Sequence, residues 1–439
     1  MDNSPGAEHV SFTQWALSHG IKIRGVAPAR FPGRRLGMIA TRTIGKNEIM
    51  LAIPISLMLT IDSIPKPFVS LFPQGTPIQG ILAAFLTHGD QTLLSELDAW
   101  RRVWPAWEEF EQSMPIFWPA QFRVSNSPPS LQNGRTSARN TESISRDHIF
   151  LPPSISGLWN SSEKKPESPL NTSYKYETRY QNILAQQEKR LQDAWGPVRS
   201  AFPETDWNSF VYNWAIINSR SFYYVSPEEE EPEDWNDAIA MVPFADYFNH
   251  ADDAACDVTF DGEKYTFKAM RRYEKGEEIY MSYGAHSNDF LLVEYGFCLD
   301  HNPSDGIYLD DIILGDLTTS EKKELEEQGC LGNFQVKASG PDTNTIAAAA
   351  IKHMDRQDWR NFISDMSRKG FGGRKTADII SGWIKMYLRE CTITIKFLME
   401  VSKTRSAESE TDKEKLDMLL ARWKQIQQLC EKVLQATTE

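Results

Sequence analysis

The spacing of apolar positions changes several times along the chain, and the changes divide it. Residues 8–20 (EHVSFTQWALSHG) put Phe12, Trp15 and Ala16 on one helical face, with Gly20 as a stop. Between Ile21 and Thr60, short β-branched runs punctuated by Pro32-Gly33 and Gly45 predict strands. Helical spacing returns over 78–113, where Ile81, Leu82, Phe85 and Leu86 precede a stretch carrying Trp100, Trp104 and Trp107. Residues 123–173 lose periodicity, except in the island IFLPPSISGLW. Rich in Ser, Pro and Asn, they predict a surface insertion that buries too little to order itself.

From Tyr174 a polar helix is predicted to about Trp195, and a second follows Asp206, a suitable N-cap. Trp207, Phe210, Val211, Trp214 and Ile217 give that second helix a core face. The run EEEEPED at 228–234 reads as a solvated loop. Residues 238–283 return to β texture, with alternation from Tyr265 to Met270 and a strand-like Glu278-Ile-Tyr-Met-Ser-Tyr. After Pro303 helices are predicted to the end. Leu416, Leu419, Trp423, Ile426, Cys430 and Val433 form one apolar stripe, too short for a coiled coil and suited to a bundle. The expected class is α+β, with a domain over 1–303 that contains a helical insertion at about 75–205, then an all-α domain over 304–439.

Composition narrows the function classes. The 439 residues are 41% hydrophobic, enough for sizeable cores, which excludes a wholly disordered chain. With 47 Lys+Arg against 60 Asp+Glu the net charge is −13, a poor match to nucleic acid and a good one to a basic protein partner. Five cysteines without a CxxC pair favour neither a disulfide framework nor a cysteine-rich zinc site, and point to a reducing compartment. No leader is readable, and no apolar run approaches the roughly 20 residues of a membrane span. A soluble monomer of the cytoplasm or nucleus is expected.

Four clusters could carry chemistry. Gly33-Arg-Arg-Leu-Gly37 reads as a turn whose backbone can approach a ligand, or simply as a turn. Asn218-Ser-Arg-Ser-Phe222 puts Arg220 at a helix end, where a cation suits the dipole or its planar fork can clasp a carboxylate. Val242-Pro-Phe-Ala-Asp-Tyr-Phe-Asn-His250 ends an apolar run in two side chains that need partners if buried. Ser282-Tyr283-Gly284 and Glu294-Tyr-Gly-Phe297 present tyrosines beside glycines, as core aromatics or as hydroxyls that orient a nucleophile.

Taken in order, these stretches resemble the SET-domain protein methyltransferases, in the branch of the plant Rubisco large-subunit and fungal ribosomal-protein lysine methyltransferases. The matching segments are GRRLGMIATRTIGKNEIMLAIP, NWAIINSRSF, AMVPFADYFNHA and GEEIYMSYGAHSNDFLLVEYGF. The resemblance implies small β-sheets with a knot-like threading of the NH segment past the SYG segment, and a C-terminal helical domain that binds substrate. It also implies S-adenosylmethionine as donor and no metal. By matching position, Arg35, Leu36 and Gly37 present backbone to the donor, Arg220 pairs its carboxylate, and Asn249 and His250 take its amino and adenine groups. Tyr295 and Phe297 pack near the adenine and the substrate channel. Phe222, Ala245, Tyr283 and Tyr295 line that channel, and Tyr283 is the catalytic residue. Arg35 stands where the family has a second glycine, a conformational cost if that position needs φ > 0. The expected acceptor is a lysine on a non-histone protein, with a ribosomal protein as one candidate. Histidine methylation, or an inactive SET-fold binding protein, are the alternatives.

Overall fold

The computed structural model describes residues 4–31, 34–123, 149–161, 178–225, 230–232, 235–365, 373–405 and 410–438. It divides into two compact units, residues 1–110 with 188–285 and residues 111–187 with 286–439. The division differs from the sequence-based one in grouping 111–187 and 286–303 with the tail.

The first unit opens with the helix Ala7–Ser18, which buries His9, Phe12 and Ala16. Among the described residues ten strands follow: β1 (Lys22–Ile23), β2 (Val26–Phe31), β3 (Arg34–Ala40), β4 (Ile49–Pro54), β5 (Ser221–Tyr223), β6 (Ile239–Met241), β7 (Asn249–His250), β8 (Cys256–Phe260), β9 (Lys264–Ala269) and β10 (Glu278–Met281). They form three small sheets, ordered β1-β4-β9-β8, β2-β3-β10-β7 and β5-β6. β8 turns into β9 at Asp261-Gly262, where Gly262 takes a φ of 92° and the Asp261 carboxylate accepts from the amides of Glu263 and Lys264. In the second sheet β10 runs antiparallel to β3 and parallel to β7, with Asn249 opposite Tyr280 and His250 opposite Met281. That parallel pairing draws the Asn-His segment alongside the strand leading to Tyr283.

Helix Trp207–Arg220 begins where the sequence predicts. The Asp206 carboxylate accepts from the Ser209 amide at 2.8 Å, and Phe210, Val211, Trp214 and Ile217 are buried. The helical stretch predicted over 78–113 is broken into Ile78–His88, Gln91–Glu96, Asp98–Arg101 and Trp107–Ser113. Gly89 and Pro105 account for two of the breaks: a Cβ on Gly89 would sit 2.6 Å from the Phe85 carbonyl oxygen, and Pro105 lacks an N–H. The polar helix predicted from Tyr174 is observed as Ile183–Ala201.

In the second unit, helices Arg374–Arg405 and Glu410–Thr438 pack together, and Leu416, Leu419, Trp423, Ile426, Cys430 and Val433 are all buried. The unit also holds an antiparallel sheet of β11 (Gly306–Tyr308), β12 (Gln335–Lys337) and β13 (Gly340–Pro341). The all-α expectation missed it because strands of two or three residues carry no readable period. Residues 149–161 of the expected disordered insertion are packed. Phe150, Leu151 and Ile155 are buried, and the Trp423 indole donates to the Phe150 carbonyl at 2.7 Å. The remainder of that insertion, and most of the EEEEPED loop, lie outside the described residues. Among the described residues no helix is long and apolar enough to cross a membrane.

Candidate active site

Helix Trp207–Arg220 runs directly into β5, which leaves Arg220 on its last turn. The guanidinium meets a turn on the β6–β7 connection. Phe244, buried, adopts a left-handed φ of 72° there and starts the short turn Ala245–Tyr247. A non-glycine residue in that region costs about 1–2 kcal/mol. Arg220 Nη1 donates to the Asp246 carbonyl at 3.1 Å and lies 3.7 Å from Asp246 Oδ2. The Trp100 indole N–H donates to the same Oδ2 at 3.1 Å. Arg220 Nε and Asp246 Oδ1 are both buried, with no hydrogen-bond partner among the described residues. Burial holds the Asp246 carboxyl above its usual pKa, opposed by Arg220. Buried polar atoms are normally satisfied, so this half-completed pair has one donor and one acceptor to spare.

Three residues on, β7 presents Asn249 and His250. Asn249 Nδ2 donates to the Leu36 carbonyl at 3.0 Å and to Glu278 Oε1 at 2.8 Å. A Cβ on Gly37 would lie 2.6 Å from Glu278 Oε1 and 2.7 Å from Asn249 Nδ2. A side chain at Gly37 would therefore force the ends of Glu278 and Asn249 to shift, a close approach within a strand. The predicted turn over 33–37 is corrected: β3 already begins at Arg34, and Gly33 lies outside the described residues. Arg35 lies inside β3, in extended backbone that any residue adopts, so the cost expected for φ > 0 does not arise.

His250 Nδ1 accepts the Tyr283 N–H at 3.1 Å, and its ring stacks on Tyr283 with centroids 5.0 Å apart. Burial lowers the imidazole's pKa, which agrees with a neutral ring accepting at Nδ1. The Tyr283 hydroxyl donates to the Phe248 carbonyl at 2.7 Å. Burial pushes its pKa up to about 12, with Arg220 lowering it and Asp246 raising it. The phenol is thus neutral at ordinary pH, and both members of the Arg220–Asp246 pair are near enough to act on it.

Phe222 on β5 meets Tyr265 and Phe267 edge-on, with centroids 6.0 Å away in each case, and Phe248 stacks on Phe267 at 5.3 Å. Ala245 is fully buried. Leu36, Gly37, Arg220, Phe222, Ala245, Asn249, His250 and Tyr283 all belong to the first unit. Tyr295 and Phe297 belong to the second, half-buried, their centroids 6.2 Å apart across Gly296, which holds a φ of 80°. Sequence reasoning missed Asp246, Trp100 and Glu278. A lone carboxylate in the apolar run VPFADYF was a readable signal for the first; Trp100, 146 positions away, gave none.

The spare Arg220 Nε and Asp246 Oδ1 suit a ligand that carries both a carboxylate and an ammonium, as the methionine end of S-adenosylmethionine does. Among the described residues, no group of three or more His, Cys, Asp or Glu could hold a metal ion.

Comparison with known proteins agrees with this architecture. The chain is 28% identical over 197 residues to ribosomal lysine N-methyltransferase set11 of Schizosaccharomyces pombe, a match that covers 43% of this chain and only half the length of that relative. SET domain-containing protein 4 of Homo sapiens is 22% identical over 361 residues, 80% of this chain and 73% of that protein. Actin-histidine N-methyltransferase of Canis lupus familiaris is 23% identical over 298 residues, 67% and 43% of the respective chains. Of the solved structures, the SET domain of LSMT bound to lysine and AdoHcy superposes with a TM-score of 0.56 at 13% identity, over 98% of this chain and 91% of that one, a likeness of fold. The SET domain model matches residues 35–284, more than half of the sequence, and the chain belongs to the SET-domain family.

Proposed function

We propose that this chain is an S-adenosylmethionine-dependent protein-lysine N-methyltransferase acting on a non-histone protein, with a basic ribosomal protein as the leading substrate class. The observation that carries the reading is the half-satisfied Arg220–Asp246 pair beside a neutral Tyr283 hydroxyl. The donor supplies a methyl group already activated on a sulfonium, so the protein's task is alignment and desolvation. Arg220 takes the donor carboxylate through its spare Nε, and Asp246 Oδ1 suits the ammonium. β7 and the Leu36–Gly37 backbone support its remaining groups, with Asn249 anchored by Leu36 and Glu278.

Tyr283 gives its own hydrogen to the Phe248 carbonyl, so toward an incoming amine the phenol oxygen acts as an acceptor of its N–H. That bond turns the amine lone pair toward the methyl, and the electron-rich oxygen favours nearby positive charge. Phe222, Phe267 and Phe248 form an apolar wall that suits a lysine's alkyl stem. The net charge of −13 suits a basic partner, and we assign its recognition to the helical second unit. The similarity to an actin-histidine methyltransferase keeps histidine as the competing acceptor.

The test is calorimetric binding of S-adenosylmethionine, followed by methylation of candidate proteins and amino-acid analysis of the hydrolysed product. Binding near the micromolar range, about −8 kcal/mol, with methyllysine in the product, is expected. Methylhistidine without methyllysine overturns the acceptor, and no binding by folded wild-type protein overturns the enzyme reading.

A further inference from the structure

The SET-domain match begins at residue 35, so the helix Ala7–Ser18 lies outside it. Two of its buried side chains nevertheless converge on one turn of the site. His9 Nδ1 lies 2.7 Å from the Tyr247 hydroxyl, with the two residues only 4% and 6% exposed. Phe12, fully buried, has its ring centroid 5.9 Å from that of Phe244 and 6.1 Å from that of Tyr247, and lies parallel to Trp100 at 6.5 Å. Trp100 in turn donates to Asp246.

The turn these residues touch carries two of the site's acceptors. Its Asp246 carbonyl receives Arg220 Nη1, and the Phe248 carbonyl at its end receives the Tyr283 hydroxyl. It also contains Phe244 in a left-handed conformation that persists only where the surroundings enforce it. A rotation of this turn would move both carbonyls together.

We propose that His9 and Phe12 are positioning residues: the N-terminal helix sets the 244–248 turn, and through it Arg220 and Tyr283, and does so while the His9 imidazole is neutral. The inference rests on the donor-site reading above. A neutral ring with its hydrogen on Nε2, toward Glu8 Oε1 at 3.5 Å, leaves Nδ1 to accept from Tyr247. Protonation places a second N–H there and forces the buried hydroxyl to turn its hydrogen elsewhere. The charged and titratable groups facing His9 are Tyr247 from the turn, Glu8 on its own helix and Arg30 on β2. Burial, first, and Arg30 lower the imidazole's pKa from 6.5, and Glu8 opposes them. Donor affinity is therefore expected to fall as the pH drops below 6.5 through the His9 transition.

The test is calorimetric binding of S-adenosylmethionine to the full chain at about pH 7.5 and about pH 5, with thermal unfolding in parallel. Tyr247→Phe and His9→Ala are expected to weaken binding roughly five- to tenfold at the higher pH. His9→Asn, whose amide oxygen stands close to where Nδ1 does, is expected to restore affinity to within about twofold and to lose the extra weakening in acid. Variants that melt earlier yet bind as tightly as wild type, with an unchanged pH profile, show a merely structural helix and overturn the proposal.

A second measurement keeps the two readings apart. If wild-type protein does not bind the donor, the enzyme reading fails, and hydrogen exchange of the 244–250 peptide still decides the coupling. Faster exchange in His9→Ala but not in His9→Asn supports it; equal exchange in all three overturns it.

Discussion

Both units hold an arginine against buried aspartates, and they finish it differently. In the second unit Arg422, its side chain 0% exposed, donates from Nε to Asp289 at 2.6 Å, from Nη1 to Asp305 at 2.6 Å and from Nη2 to Asp305 at 3.0 Å. Asp289 also takes the Ser154 hydroxyl, and Asp305 accepts the Asn288 amide at 3.0 Å. In the first unit Arg220 has one carbonyl, one carboxylate at 3.7 Å and an Nε with nothing to bond among the described residues. A saturated buried charge fixes architecture, because any change leaves a charge stranded. An unsaturated one is capacity held for something that arrives.

The largest effect expected from this contrast is on stability. Arg422→Ala strands two buried carboxylates, and should cost about 3–5 kcal/mol of unfolding free energy, read from the denaturant midpoint of the full chain. Arg220→Ala should do the opposite kind of damage. Asp246, whose pKa burial already raises, takes up a proton instead of remaining charged, so the midpoint changes little. Affinity for S-adenosylmethionine is expected to fall by about 2–3 kcal/mol, roughly 30- to 150-fold. Arg220→Lys should restore little of it, since a point charge lacks the planar fork. If Arg220→Ala lowers the denaturant midpoint as far as Arg422→Ala does, while the protein still folded binds S-adenosylmethionine as tightly as wild type, the open-versus-closed distinction is wrong.

What the sequence could show follows the same line between local and distant causes. Helix Trp207–Arg220, with its Asp206 cap, and the Leu416–Val433 stripe were readable because both are set by spacing within a few turns. The start of β3 was misread, since Gly33-Arg-Arg-Leu-Gly37 has the texture of a turn and only pairing with β2 makes Arg34–Gly37 part of the strand. The packed island 149–161 was hidden too: its partners, among them Trp423 and Thr394, lie more than two hundred positions away. In the site, Arg220, Asn249, His250 and Tyr283 stood out by residue type and order. Their supporting residues did not, because Trp100, Glu278 and Asp246 acquire meaning only from a contact. Gly37 was read for the wrong reason, as a turn glycine.

That glycine gives a smaller, sharper test. An alanine at position 37 would press a methyl to within 2.6–2.7 Å of Glu278 Oε1 and Asn249 Nδ2, both already engaged in one hydrogen bond. Gly37→Ala should cost about 1–3 kcal/mol of stability by overpacking. It should also weaken donor binding, since Asn249 must move. If the thermal midpoint shifts and donor affinity does not, β7 is a structural strand only, and the binding role belongs to Arg220 and Asp246.

The smallest effect comes from a charge in the second unit that has no cation within its hydrogen-bonded shell. Asp311 accepts the Trp159 indole N–H at Oδ2 over 2.7 Å, while its buried Oδ1 has no partner among the described residues. Burial raises its pKa from 3.8 to about 6, with Trp159 opposing. A carboxyl whose folded pKa is raised stabilises the fold while protonated. That contribution is complete below 3.8 and is lost as the pH climbs through about 6. Asp311→Asn keeps an acceptor for Trp159 and has no proton to lose. It should be more stable than wild type by about 1–2 kcal/mol at neutral pH, after allowance for the group's partial exposure, with the advantage vanishing near pH 4. Paired unfolding curves across that range measure it. A pH-independent difference between the two proteins would mean that Asp311 finds a counter-charge or water in solution, and that an unpartnered oxygen is too weak a sign of an open site to support the same argument for Asp246.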